Sequence, residues 1–180
     1  MALGFFVNNQ NCYGCKTCSM SCTTNKLPGN YVTYMRCVNE FLSEEGLGGT
    51  FLSLACNHCD NPACLENCPQ GAYTKLENGI VKQDHDKCIG CQTCVQACPY
   101  GAPKYDEAEG KVHKCDLCFD RLDRGELPAS MEACPGGNIV YGEMEELKAN
   151  YPAAVSEIAG VTPAASETNP NLLILVAEKK

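Results

Sequence analysis

Apolar residues fall along this chain in short runs, with no long helical stripe. Two runs rich in β-branched and aromatic residues, 31–38 and 50–55, read as strands. Gly46, Gly48 and Gly49 lie between them and read as a hairpin loop. Asn78-Gly79 ahead of Ile80 and Val81 is a second turn-to-strand signal. Residues 143–150 open on acids and predict a short helix. From 151 to 170 alanine, proline, serine and threonine dominate, which predicts an extended tail. The apolar stretch 171–176 leaves two readings open: a strand of this domain, or a segment that docks on another subunit. Residues 1–8 lack a basic flank and a long enough apolar stretch for a signal peptide. The longest apolar run elsewhere, 172–177, is too short to cross a bilayer. A chain without signal or membrane span is expected, able to sit against a membrane-bound partner.

Composition changes this picture at one point. Among 180 residues there are 16 cysteines, which implies either a disulfide scaffold or a metal protein. The scaffold reading needs a secreted context that the start of the chain does not support. Tryptophan is absent and there are five phenylalanines, so the apolar core is expected to be thin and bound metal to supply folding free energy. The formal net charge of −8, with no basic stripe, argues against a nucleic-acid partner.

The cysteines form four groups. The first is Cys12, Cys15, Cys18, Cys22; the second Cys56, Cys59, Cys64, Cys68; the third Cys88, Cys91, Cys94, Cys98. The fourth is looser, with Cys115, Cys118 and Cys134, and Cys37 stands outside all four. The third group reads C-x2-C-x2-C-x3-C-P, the bacterial ferredoxin run. Three thiolates on a tight turn can reach three corners of one cube, and the fourth reaches a different cube. Gly14 and Gly90 lie inside such turns, where the backbone is expected to approach inorganic sulfide closely. The fourth cysteine is expected to start a helix, with proline in its first turn. Structural zinc also uses C-x2-C pairs, but does not explain the further cysteines or the proline.

The repeat predicts an α+β fold of tandem bacterial-ferredoxin-like lobes, two pseudo-twofold cluster pairs, with short β-hairpins and an extended C-terminal tail. Residues 51–105 would form an inserted lobe, and 1–50 with 106–150 an outer one. Residues 151–180 would be a tail that docks on a partner. His58 is expected to cap its turn or support a cluster from behind, and His85 and His113 to be surface or interface residues. Arg121 and Arg124 are expected on a solvated helix face. No catalytic triad and no phosphate loop is evident. The chain is therefore expected to carry electrons and not to be an enzyme on its own.

These motifs resemble a known family. Cys56-Asn57-His58-Cys59-Asp60-Asn61-Pro62-Ala63-Cys64, the third group running on to Pro103, and Lys114-Cys115-Asp116-Leu117-Cys118 with Arg121, Gly125 and Pro128 look like the four-cluster iron–sulfur subunit of molybdopterin oxidoreductases, above all that of dimethyl sulfoxide reductase. The resemblance covers roughly residues 4–150, and the short tail is similar too. It implies four [4Fe-4S] clusters: Cys12, Cys15, Cys18 and Cys134 on the first; Cys22, Cys115, Cys118 and a further residue on the second; Cys56, Cys59, Cys64 and Cys98 on the third; Cys68, Cys88, Cys91 and Cys94 on the fourth. It implies a large molybdenum or tungsten catalytic subunit facing cluster one, and a membrane anchor or other redox partner facing cluster four. It also allows two compartments, the cytoplasm or export in folded form with a partner that bears a twin-arginine signal. The family pattern has cysteine where this chain has Ser130. The second cluster is then serine-ligated, reduced to three irons, completed by Cys37, or missing. The competing readings are a free-standing polyferredoxin, which has no need of the long tail, and a zinc scaffold.

Overall fold

The computed structural model describes residues 2–29, 35–41 and 50–176. Along the chain run β1 (Leu3–Asn8), α1 (Thr17–Lys26), β2 (Cys37–Phe41), β3 (Thr50–Leu54), α2 (Ala63–Glu66), β4 (Tyr73–Lys75), β5 (Val81–Gln83) and α3 (Thr93–Ala97). Then come β6 (Lys104–Asp106), β7 (Lys111–His113), α4 (Phe119–Leu122), α5 (Ala129–Glu132), β8 (Ile139–Glu143), α6 (Met144–Asn150) and β9 (Leu172–Leu175). The result is a small mixed arrangement of short strands and short helices.

The largest sheet has the order β8-β1-β9, with β8 antiparallel and β9 parallel to β1. Its central strand reads Phe5-Phe6-Val7 without alternation because both faces are covered. Phe5 and Val7 join Leu172, Ile174 and Ile139 in the main apolar core. Phe6 and Leu173 point the other way, onto Met144 and Leu147 of α6. Tyr151 stacks on Phe6 with ring centroids 3.6 Å apart. Three hairpins, β2-β3, β4-β5 and β6-β7, complete the strand pairing among the described residues.

The strand expected at 50–55 is β3, and the turn at Asn78-Gly79 closes the β4-β5 hairpin. Helix 143–150 is α6, with Glu143 as its N-cap and Glu145 and Glu146 in its first turn. The strand expected over 31–38 begins only at Cys37; its residues 31–34, and the glycine loop at 46–49, lie outside the described residues. β1, β8 and the β6-β7 hairpin are additions to the expected elements. Of the two readings for 171–176, the strand is the one formed, since β9 lies buried beside β1. The preceding segment folds back as well: Val155 bridges Ile174 on the open edge of β9. Among the described residues no helix is long and apolar enough to cross a membrane.

Candidate metal centres

Three of the cysteine groups end in the same backbone device. Cys68 and Cys134 follow α2 and α5, Cys98 caps α3, and each opens a turn. The amides of Gly71, Gly101 and Gly137 donate to the carbonyls of Cys68, Cys98 and Cys134 at 3.1, 3.0 and 3.1 Å. Proline suits the second position of such a turn. The amide after the glycine then reaches sulfur: Ala72 donates to Cys68 Sγ and Asn138 to Cys134 Sγ, both at 3.3 Å. Burial raises the Cys98 thiol, and the Ala102 amide opposes that rise. These cysteines therefore end helices and do not start them, which corrects the expectation. The cause is the proline, which drives the residue before it out of the helical region; Cys98 has φ −80° and ψ 114°. Cys22 differs, lying inside α1 with no proline after it.

The loops of groups one and three are copies in backbone angle. Gly14 and Gly90 have φ of +73° and +70°, and Lys16 and Gln92 have φ of +59° and +61°. A Cβ at Gly14 would lie 2.6 Å from the Phe51 ring, and one at Gly90 would lie 2.1 Å from the Gly110 carbonyl oxygen. The glycines are thus required by left-handed backbone and by crowding from Phe51 and Gly110, beyond the expected approach to sulfide. Thr17 Oγ1 donates to Cys15 Sγ at 3.3 Å, and Thr93 Oγ1 lies 3.4 Å from Cys91 Sγ. These hydrogen bonds hold both thiols below their ordinary value.

The fold gathers the cysteines in threes and ones. Cys12, Cys15 and Cys18 line one cavity with Cys134. Cys56, Cys59 and Cys64 line another with Cys98. Cys88, Cys91 and Cys94 line a third with Cys68. The remaining walls are largely apolar, with Val7, Val38 and Ile139 in the first and Ala72 and Val112 in the third. All sixteen cysteines are unbridged. Burial pushes the Cys59 thiol up to about 11 and that of Cys64 to about 12, so a metal must displace their protons. A cage of four thiols, three from one loop and one from elsewhere, with N–H groups aimed at sulfur, fits a [4Fe-4S] cube. Zinc uses two C-x2-C pairs, which is not the division found here.

The second set is assembled between helices. Burial pushes the Cys22 thiol up to about 12, with the neighbouring Cys118 adding to the rise. Burial also raises Cys115, and Cys22 and Cys56 contribute, so Cys115 stands between the second and third sets. α1 packs on α5, where Ser21 Oγ donates to the Ala129 carbonyl at 3.0 Å. The Ala129 amide lowers the Cys118 thiol against the rise from burial, and the next residue, Ser130, is buried. Arg121 locks this corner by donating to Glu132 at 2.6 Å and to the Leu127 carbonyl at 2.8 Å, and Arg124 pairs with Glu126. Cys37 is the half-buried first residue of β2, opposite Leu54.

Other residues, which carry no motif of their own, also take part. Thr168 Oγ1 donates to Cys59 Sγ at 3.2 Å, and Asn171 Nδ2 donates to the His58 carbonyl at 2.7 Å. The segment ahead of β9 thus laces down the loop of group two. Ser53 Oγ lies 3.4 Å from Cys18 Sγ. Buried Lys114 donates to the carbonyls of Val81 and Cys115. His58 is fully buried behind its loop, where Nδ1 accepts the Val81 N–H at 3.0 Å. Burial, with Lys114 and Lys75 nearby, holds its pKa well below the ordinary 6.5, so the ring is neutral. His113 is also buried, 2.9 Å from the Glu109 carboxylate and 4.6 Å from the His85 ring, which corrects its expected surface place.

Comparison with known proteins agrees with this geometry. The 4Fe-4S dicluster domain matches residues 48–144. The probable anaerobic dimethyl sulfoxide reductase chain YnfG of Escherichia coli K12 is 40% identical over 181 residues, covering 95% of this chain and 87% of that protein. A second anaerobic dimethyl sulfoxide reductase chain of the same organism is 38% identical over 183 residues, with the same coverage. A tetrathionate reductase subunit of Salmonella typhimurium is 38% identical over 145 residues, covering 78% of this chain and 57% of its own. The chain belongs to the 4Fe-4S dicluster family, among the iron–sulfur subunits of the anaerobic dimethyl sulfoxide reductase type.

Proposed function

We propose that the four sets hold four [4Fe-4S] clusters and that the chain relays single electrons between a molybdenum or tungsten pterin subunit and a second redox partner, a membrane anchor or a soluble carrier. The cubes would be held in two ferredoxin-like lobes. Each cube supplies a one-electron couple when bound; the protein supplies spacing, burial and hydrogen bonds to sulfur.

The observation that carries this reading is the order of the sites. Ser53 stands between Cys18 of the first set and Arg36, whose charge reaches Cys22 and Cys115 of the second. Cys115 in turn neighbours Cys56 of the third. Cys64 of the third and Cys94 of the fourth pack in one apolar cluster with Tyr73. The two end sites are the exposed ones. Cys15 and Cys91 reach the surface, beside Tyr13 and Ile89, which are 60% and 63% exposed. Exposed apolar residues over the two ends suit docking of a partner at each, while the middle cysteines are buried or, at Cys59 and Cys98, half-buried. A zinc scaffold has no need of such a line. Purified without oxygen, the chain is expected to contain iron and acid-labile sulfide in nearly equal amounts. Stoichiometric zinc without a visible chromophore would refute the proposal.

Ser130 is proposed as the fourth ligand of the second cluster. An oxygen ligand is harder than thiolate and favours ferric iron. Ser130→Cys is expected to raise the potential of that cluster by about 59 mV or more, a tenfold change in its reduced-to-oxidised ratio, with the other three unmoved. Redox titration followed by electron paramagnetic resonance checks this. An unchanged potential would remove Ser130 from the ligand set.

A further inference from the structure

Arg36 is the most deeply buried cation among the described residues, with 1% of its surface exposed. Among the described residues it has no carboxylate partner. Its Nη1 donates to the Ser53 carbonyl and to Ser53 Oγ, both at 3.2 Å. Its Nε and Nη2 have no hydrogen-bond partner, although both are buried. The Phe5 ring, 4.7 Å from the guanidinium carbon, covers one side. A buried charge with no anion beside it is strongly destabilising, so a fold that keeps one must provide a counter-ion by other means.

The surroundings identify that counter-ion. Ser53 lines the first cavity and touches Cys18. The Arg36 carbonyl accepts from Ser19 Oγ at 2.6 Å, which ties it to the turn of α1 that leads to Cys22. The preceding residue, Met35, packs in one apolar cluster with Cys22. No other cation stands so placed toward both sets among the described residues.

We propose that Arg36 is the internal counter-ion of the first two clusters, giving Nε–H and Nη2–H to sulfur of the second and acting through Ser53 on the first. This rests on the cluster reading above. A cube held by four thiolates is anionic and gains further negative charge on reduction, so a fixed cation beside it favours the reduced form. Arg36 thereby offsets the lowering that an oxygen ligand at Ser130 imposes on the second cluster, and keeps it from becoming a deep step in the relay.

The test is a potentiometric titration of the full chain with its clusters, in its complex, comparing Arg36→Gln and Arg36→Lys with the unaltered protein. Ser130→Cys identifies the signal of the second cluster. With full iron content, Arg36→Gln is expected to lower the reduced-to-oxidised ratio of the first two clusters at least tenfold at fixed ambient potential, about 59 mV for a one-electron couple, leaving the third and fourth unmoved. Arg36→Lys is expected to restore most of that shift. Four unmoved potentials in an iron-replete Arg36→Gln protein would overturn the proposal. If that variant loses iron, the unaltered protein labelled with 15N in its arginine guanidino groups decides. Hyperfine coupling of 15N to the spin of the second cluster supports the proposal, and its absence overturns it. An unaltered chain that holds no iron would instead sink the cluster reading itself.

Discussion

Removing the iron with a chelator under reducing conditions is expected to unfold the chain, beginning with the stretch from 55 to 118. That stretch contains α2 with four residues, α3 with five, and two hairpins whose strands have three residues each. Helices and hairpins this short do not stand alone in water. What they pack around are the cavities of the second and third cysteine groups, so emptying those cavities removes their common support. The sheet β8-β1-β9 has, on the face covered by α6, an apolar core that contains no cysteine, and it is expected to exchange its amide protons last. Far-ultraviolet circular dichroism and hydrogen exchange before and after chelation make the measurement. Native secondary structure surviving at 55–118 would contradict it. Any fold left without metal should also weaken in alkali. The Cys22, Cys59 and Cys64 thiols keep their protons to about 12, 11 and 12 when folded, against 9.0 otherwise. That contribution is complete below pH 9 and lost as pH climbs through the folded values.

The second large effect concerns Cys98→Ala. By sequence Cys98 belongs to the third group, but it lines the cavity of Cys56, Cys59 and Cys64. The substitution is expected to abolish or degrade the cluster held there and to spare the one held by Cys88, Cys91, Cys94 and Cys68. Iron content should fall by about one cube. Reduction of a partner at one end by an electron donor at the other should fall by orders of magnitude, because the relay is broken at its third step. Spectra assigning the loss to the cluster of Cys88, Cys91 and Cys94 would show the pairing to be wrong.

Where the sequence speaks clearly, the chemistry constrains covalent spacing. The four C-x2-C starts and the three cysteine–proline endings are local patterns, and each is matched by a loop or turn. Long-range parts are less legible. β1 reads only as a short apolar run because a strand covered on both faces does not alternate, and its neighbours are 139–143 and 172–175. The tail reads as extended because its composition is that of a linker. Its order comes from contacts to residues more than a hundred positions away, such as Thr168 to Cys59 and Asn171 to His58. Arg36 carries no signal at all, since an arginine beside a strand usually faces water and only the fold reveals its burial. Proline at 69, 99 and 135 is legible as a helix boundary, but composition alone points to the start of a helix where the fold has an end.

The outer sheet also imposes a schedule on synthesis. A ribosome delivers Cys56 to Cys98 as one continuous stretch, so all eight thiols of these two cavities emerge together, although Thr168, which bonds Cys59, comes much later. The cavity of Cys12, Cys15 and Cys18 lacks a wall until Cys134 emerges, and β1 lacks its parallel neighbour until 172–175 emerge. The first thiols to be translated therefore wait longest for their fourth sulfur. Throughout that interval Cys12, Cys15 and Cys18 stand open to oxidants and to stray metal ions. Closure of this end waits on residues 134 and 172–175, and a chain cut short of them has no finished first cavity.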